Sequence, residues 1–468
     1  MDKKYRTLTF NMSLFFISTF AGKFLVFLMM PLYTGKLSPE QYSDADLIVY
    51  TSSLLLPFIT LGIVNGLLRF GLDRRYDKKE VISSCALFYL NGIALASIFI
   101  PLLSPLHSFF RVYGWLLILY ILTNCMHTLM QQSVRIYEKT VLYASEGLLN
   151  TVLTLALTCL FLIKYNMKTE GYILAIILAD FIGALVLFVC GRLWSNFNLR
   201  AVNKELIKEL LRYSLPLIPA SLCWWIIGVA DRYFVIYFTS AAIGGIYIVS
   251  HKIPSIINLL STIFSEAWQI SAIKEGTRND AEDFFSNVFR TYSSMVFIAS
   301  AGLTLLCKPL FIFMTDSAYH SGWTLIPLLV AGAAYSCLSS FMSSIYTVSK
   351  RTKASLNTSI IGAVANLLLC LVLVPFIGAM GAAIAVFLTH FILFIVRILG
   401  ASEMMDIALP YSKIFVSTCL LLLLSVLVIK ELWSYALIYV FVIIAINLPD
   451  IWKAGKMQLK DLYYRFIK

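Results

Sequence analysis

The chain has 468 residues, 60% of them hydrophobic and only 13% charged, where soluble domains are about half apolar and a quarter charged. Its mean hydropathy of +0.84 is more apolar surface than a soluble core can hide, so a membrane must supply the solvent. The net charge of +12 does not mark a nucleic-acid surface, because the basic residues fall between apolar runs and are not gathered on one polar face.

Hydropathy predicts an all-α polytopic membrane protein of about fourteen transmembrane helices. In chain order they cover 8–32, 46–70, 82–105, 114–134, 141–163, 171–193, 214–238, 244–270, 288–313, 321–348, 354–376, 379–399, 412–429 and 432–450. The first follows Lys3, Lys4 and Arg6 as a signal peptide would, but it is long and carries Lys23, which fits a retained span. An even count puts both termini on one side. Of the 37 Lys and Arg residues, 25 fall in the loops on that side and 6 in the opposite loops, a bias that makes both termini cytoplasmic. The nine cysteines all lie in apolar segments without metal-ligand spacing and read as small packing residues; neither a metal nor a cofactor is expected.

An internal repeat runs through the spans. Residues 35–50, GKLSPEQYSDADLIVY, leave the first span and enter the second; residues 237–252, YFTSAAIGGIYIVSHK, do the same between the seventh and eighth. Asn150 and Asn366 lie inside the fifth and eleventh spans, each followed by a Gly-led restart at Gly171 and Gly381. A period of six helices preserves orientation. Two parallel six-helix lobes, 1–200 and 201–400, are therefore expected, followed by two further helices and a cytoplasmic tail in 401–468.

Asn11, Ser18 and Lys23 in the first span, PLYTGKLSPEQYSDADL from Pro31, LGIVNGLLRFGLD from Leu61, SLPLIPASL from Ser214, VADRYFV from Val229 and AIGGIYIVSHKIP from Ala242 carry a resemblance. With these segments the sequence resembles, over essentially its whole length, the Wzx-type polysaccharide flippases of the multidrug, oligosaccharidyl-lipid and polysaccharide (MOP) exporter superfamily. The resemblance implies MATE-like lobes around a central cavity that opens alternately to each side of a bacterial inner membrane. It implies an undecaprenyl-diphosphate-linked oligosaccharide as substrate, and it allows the polysaccharide polymerase and chain-length machinery as protein partners. One corner departs from the family, which often has an acidic-aromatic-Gly turn before the second span; here Gln41, Tyr42 and Ser43 predict a different turn.

Six basic residues, Lys23, Arg69, Arg232, Lys252, Arg290 and Arg397, fall inside or at the edges of spans. A charge at the centre of a span costs about 2.5–3.5 kcal/mol on insertion scales, so such groups should face water or each other. Lys23 either snorkels to the interface or lines a cavity to meet phosphate. Asp231 and Arg232 point about 100° apart on a helix. They are either an interhelical ion pair or a phosphate-reading fork with an orienting, proton-accepting carboxylate. Asp231 could pair with Lys252 of the next span, while His251 is either a proton-coupling group or a hydrogen-bonded structural histidine. Asp180 and His390 carry the same ambiguity. Asp44, Asp46, Arg69, Glu146, Glu266, Arg290 and Arg397 sit nearer helix ends, where interfacial placement is expected, although Arg69 and Arg397 could also gate or collect an anionic substrate. Pro57, Pro216, Pro219, Pro254 and Pro327 mark hinges or static kinks.

Lys23, Arg232 and Lys252 outnumber the deep carboxylates Asp180 and Asp231, a balance that suits a diphosphate crossing hydrocarbon. A cation or drug antiporter of the same superfamily would want the opposite balance. Trp224, Trp225 and Tyr233 could stack on sugars or belong to an interfacial belt. A membrane glycosyltransferase or polymerase acting on lipid-linked sugars would need an outer platform, and the outer loops are short. No GxxxxGK[ST] motif is present, so no nucleotide-driven step is expected, and the chain is read as a transporter and not an enzyme.

Overall fold

The computed structural model describes residues 22, 25, 27–105, 108–197, 202–275 and 281–467, and their regular structure is helical throughout. Most of the first predicted span, Lys23 included, lies outside the described residues. Contacts divide the chain into two compact units, Met1–Trp225 and Ile226–Lys468.

In the first unit α1 (Met30–Lys36) is followed by α2 (Pro39–Ile59), α3 (Ile63–Leu72), α4 (Lys78–Leu102), α5 (Ser108–Ile136), α6 (Thr140–Cys159), α7 (Thr169–Cys190), α8 (Lys204–Ser214) and α9 (Ile218–Trp225). The second unit has α10 (Asp231–Phe238), α11 (Ala241–Ser250), α12 (Ser255–Glu275), α13 (Ala281–Met314), α14 (Ile326–Val348), α15 (Thr352–Ile377), α16 (Ala379–Ser402), α17 (Tyr411–Ile429) and α18 (Trp433–Ile467). Among the described residues, 11 helices are long and apolar enough to cross a membrane, or up to 13 if each of two bent pairs is one span. Large apolar side chains such as Phe313 and Phe376 lie almost fully exposed, as expected where the surrounding solvent is lipid. The chain is a multi-pass membrane protein.

At the corner before α2, Gln41, Tyr42 and Ser43 already lie inside the helix. Ser38 caps α2: its hydroxyl accepts from the Gln41 amide at 3.3 Å, while the Gln41 side chain accepts from the Ser38 amide at 3.1 Å. This capping box, with Pro39 opening the helix, satisfies the free amides without a glycine. Tyr42 then packs against Tyr33 and Tyr172, joining α1, α2 and α7.

The bent pairs are α2 with α3, at 59°, and α11 with α12, at 44°. In the first, Leu61 and Gly62 adopt φ of 49° and 68°, a left-handed step that stops the helix. Gly62 is required there twice over, since a Cβ would also lie 2.9 Å from the Ser214 carbonyl oxygen at the end of α8. In the second, the chain turns through 251–254 with Pro254 in the break.

The repeat is visible inside each unit. In the first, α7 packs against α5 and α6; in the second, α16 packs against α14 and α15. Both units use the same polar link: Asn150 of α6 donates to Asp180 of α7 at 2.9 Å, and Asn366 of α15 donates to Thr389 of α16 at 3.3 Å. These are the two asparagines that mark the repeat in the sequence. Ala382, Ala383 and Ala385 let α16 approach closely, and with Val235, Tyr247, Leu329 and Cys370 they form a core at the junction of α10, α11, α14, α15 and α16. The last two helices are tied on by charge. Lys413 of α17 pairs with Asp450 of α18 and donates to Ser294 of α13 at 2.9 Å, so this lysine of the charge bias is also a partly buried helix-to-helix contact.

Candidate functional site

Each unit holds a cluster of ionisable side chains among its spans. In the second unit it is prepared by a π-helical turn, Ile226–Ala230, between α9 and α10. Such turns insert a residue into the helical ladder and recur at functional sites. Here the turn presents the Gly228 carbonyl to the guanidinium of Arg232, which donates to it and also lies 3.4 Å from Asp231 Oδ1. The neighbours Asp231 and Arg232 therefore do meet, because the arginine folds back toward the preceding turn.

Asp231 is only 1% exposed. Its other oxygen, Oδ2, accepts from the Tyr247 hydroxyl at 2.5 Å and lies 3.4 Å from His251 Nε2. The Tyr247 and His251 rings meet edge to face at 4.7 Å. The carboxylate is thus engaged by Tyr247, His251 and Arg232. Lys252 lies next to His251 in the 251–254 break, its amide donating to Val249 at 3.0 Å.

The cluster in the first unit is built on spans four to six. His127 of α5 sits between two carboxylates: Nε2 is 2.7 Å from Glu146 Oε1 and Nδ1 is 3.3 Å from Asp180 Oδ1. Gln131 donates to the second oxygen of Glu146 at 3.1 Å, and Asn150 holds Asp180. Both ring nitrogens can donate to carboxylates only in the protonated imidazolium. Gly183 of α7 makes room for the group, since a Cβ there would lie 2.4 Å from Glu146 Oε1 and 3.2 Å from His127 Nε2.

Several expectations change. Glu146 does not reach an interface; α5 and α7 bury it completely. His127 was not singled out in the sequence, yet a signal existed: His127 and Gln131 share one face of α5 at i, i+4, and Glu146 and Asn150 share one face of α6 at the same spacing. Arg397 does not snorkel either. It is 1% exposed and donates to the carbonyl and hydroxyl of Ser339 at 2.9 and 3.1 Å. Arg69, in contrast, is exposed at the end of α3, with its guanidinium 4.9 Å above the Tyr213 ring. Pro216 lies in a short 3₁₀ turn, Leu215–Leu217, and Pro219 opens α9. The 35-residue run Lys204–Phe238 passes through both as one continuous candidate span.

The family profile described as "Polysaccharide biosynthesis protein" matches residues 8–269. No curated protein sequence matches the chain. Among solved structures, "Lipid II flippase MurJ, inward closed conformation" aligns with a TM-score of 0.72 at 15% identity, covering 96% of this chain and 99% of that one. An inward-facing multidrug resistance MATE family transporter of the MOP superfamily aligns with a TM-score of 0.62 at 15% identity, over 82% and 95% of the two chains. A MOP superfamily transporter from Pyrococcus furiosus, described as having a binding pocket of reversed polarity, gives 0.56 at 14%, over 84% and 94%. At these identities the alignments establish the fold, which is that of the MOP transporters.

Proposed function

From the premise that the chain belongs to the polysaccharide biosynthesis protein family, we propose that it is a flippase. It moves undecaprenyl-diphosphate-linked oligosaccharide from the cytoplasmic to the outer leaflet of a bacterial inner membrane by alternating access. The orientation rests on the positive charge bias, which favours cytoplasmic termini. The moving bodies are the lobes 1–200 and 201–400, with 401–468 as an accessory pair of helices and a tail.

The observation that carries the reading is the Asp231–Arg232 group beside a π turn. A guanidinium held at 3.4 Å from its carboxylate is looser than a charge-assisted pair at its best, and its planar fork suits phosphate oxygens. A diphosphate engaging Arg232 would leave the Asp231 charge to Tyr247 and His251, which already touch it. Lys252 and, from the first span, Lys23 add positive charge for the same anion, and Arg69 collects it at the cytoplasmic end of α3. The His127, Glu146 and Asp180 group supplies ion coupling: a proton arriving on either carboxylate weakens its hold on the imidazolium. Pro254, already at a 44° break, serves as a hinge, with Pro216 and Pro219 adjusting the seventh span.

The test replaces Arg232 in cells whose surface polysaccharide depends on this gene. Arg232→Ala should abolish display while the protein stays at normal abundance in the membrane, and Arg232→Lys should restore it in part. Normal display by Arg232→Ala would remove the proposed phosphate contact. Disappearance of the protein from the membrane would reduce Arg232 to a structural role.

A further inference from the structure

The second unit contains a cavity of about 110 Å³ between α12 and α14 whose lining does not include Asp231 or Arg232. Ser265 and Trp268 of α12 face Ser340, Ser343, Ser344 and Thr347 of α14 across it, and none of the described side chains that line it is charged. At roughly 30 Å³ per water, the space holds a few waters or one edge of a sugar ring.

The composition of α14 explains the opening. Ser336, Ser339, Ser340, Ser343, Ser344 and Thr347 follow i, i+3, i+4, i+7, i+8, i+11 spacing and share one face. The span that contains this helix is the most interior of the candidates, with 83% of its window buried. Where it does open, it exposes Ser340 and Thr347. Hydroxyls at an opening in an otherwise enclosed span point to a wet surface rather than to lipid.

The hydrogen bonds leave capacity in the cavity. Ser344 is occupied, donating to the Phe341 carbonyl at 2.7 Å and accepting from Trp268 Nε1 at 2.9 Å. The Thr347 hydroxyl lies 3.3 Å from the Ser343 carbonyl. The hydroxyls of Ser265, Ser340 and Ser343 make no hydrogen bond among the described residues, although helix serines commonly donate back to a carbonyl one turn earlier as Ser344 does. Trp268 forms a rigid floor, stacked on Phe341 at 4.8 Å and on Phe284 at 5.6 Å.

We propose that this cavity is a sugar-recognising subsite, and the proposal rests on the flippase reading. Its ligand class is neutral carbohydrate. Each serine hydroxyl both donates and accepts, as a sugar hydroxyl or acetamido group does. A diphosphate would require a cation in the lining, and a cationic drug would require a carboxylate. The subsite lies toward the end of α14 that leads into Lys350, Arg351 and Lys353, the end assigned to the cytoplasm, where a lipid-linked saccharide would load. Ser265, Ser340 and Ser343 are then specificity-determining residues for the sugar, separate from the phosphate contact at Arg232.

The test uses the full-length protein in lipid nanodiscs and saturation-transfer NMR with glucose, galactose, rhamnose and N-acetylglucosamine as probes, alongside glycerol as a small polyol control. At least one monosaccharide should receive saturation where glycerol does not. Ser340→Ala combined with Ser343→Ala should weaken that binding about tenfold, the loss of one to two hydrogen bonds. Alanine suits a helix at both positions, and an unchanged unfolding temperature certifies the fold. The proposal is overturned if no monosaccharide binds above the glycerol control, or if the double variant binds as the wild type does. If the sugar arm fails while Arg232→Ala still abolishes surface polysaccharide, the subsite falls and the flippase reading stands; if Arg232→Ala also leaves display normal, both fall.

Discussion

Glu146 and His127 illustrate how ionisable groups are accommodated among spans in this protein. Alone, each would carry the cost of a charge in hydrocarbon; together with Asp180, Asn150 and Gln131 they satisfy one another across α5, α6 and α7. Sequence position misled on Glu146, because it lies only six residues past the start of α6 and looks interfacial until its neighbours are in place. His127 is marked only by its i, i+4 spacing to Gln131 in an apolar helix, whereas Asp231, Arg232 and His251 stood out as charged or titratable groups in apolar runs, and the fold brings them together. Gly183 is the sensitive point of the first-unit cluster. Gly183→Ala puts a methyl group 2.4 Å from Glu146 Oε1 and should push the carboxylate off His127. The expected loss is about 1–3 kcal/mol of stability, the cost of a buried polar group left without its partner, read as a lower unfolding temperature in detergent. Glu146→Gln keeps the volume and should lose transport with a smaller change in that temperature. Full transport by Glu146→Gln would detach the cluster from coupling.

At the scale of elements, prolines were a partial guide to where the chain bends. Pro254 lies in the break between α11 and α12. The other sharp break falls beyond Pro57, at Thr60 to Gly62, because the helix ends only when Leu61 and Gly62 turn left-handed. Pro216 and Pro219 are absorbed by a 3₁₀ turn and a fresh helix start, where missing amides cost little. The π turn at Ile226–Ala230 has no sequence mark, since IIGVA is an ordinary apolar run. Attachment of the last two helices is the clearest element-level test. Lys413 and Asp450 are 18% and 14% exposed in their side chains, so removing one strands the other. Asp450→Ala should destabilise by about 3 kcal/mol, whereas Lys413→Met with Asp450→Leu should recover most of that loss. Thermal unfolding of the purified variants measures both. Equal destabilisation by the single and double changes would mean the pair does not hold α17 to α18.

For the molecule as a whole, composition and period were the legible quantities. Hydropathy located spans that reappear as helices among the described residues, the second and eighth of them broken by sharp bends, and the six-helix period reappears as matching packing of α7 and α16 within their own units. What stayed hidden was cross-helix chemistry: which carboxylate meets which cation depends on rotations and breaks that apolar periodicity does not encode. The central claim is transbilayer movement of a lipid-linked saccharide. It is tested most directly in proteoliposomes containing undecaprenyl-diphosphate-linked oligosaccharide, with a membrane-impermeant oxidant added outside to consume only the sugars it can reach. With the wild-type protein, oxidation should proceed past the outer-leaflet fraction toward completion, and with Arg232→Ala it should stop at that fraction. Oxidation that stops at the outer leaflet with the wild-type protein, in vesicles that remain sealed and under an imposed ion gradient, would contradict the account.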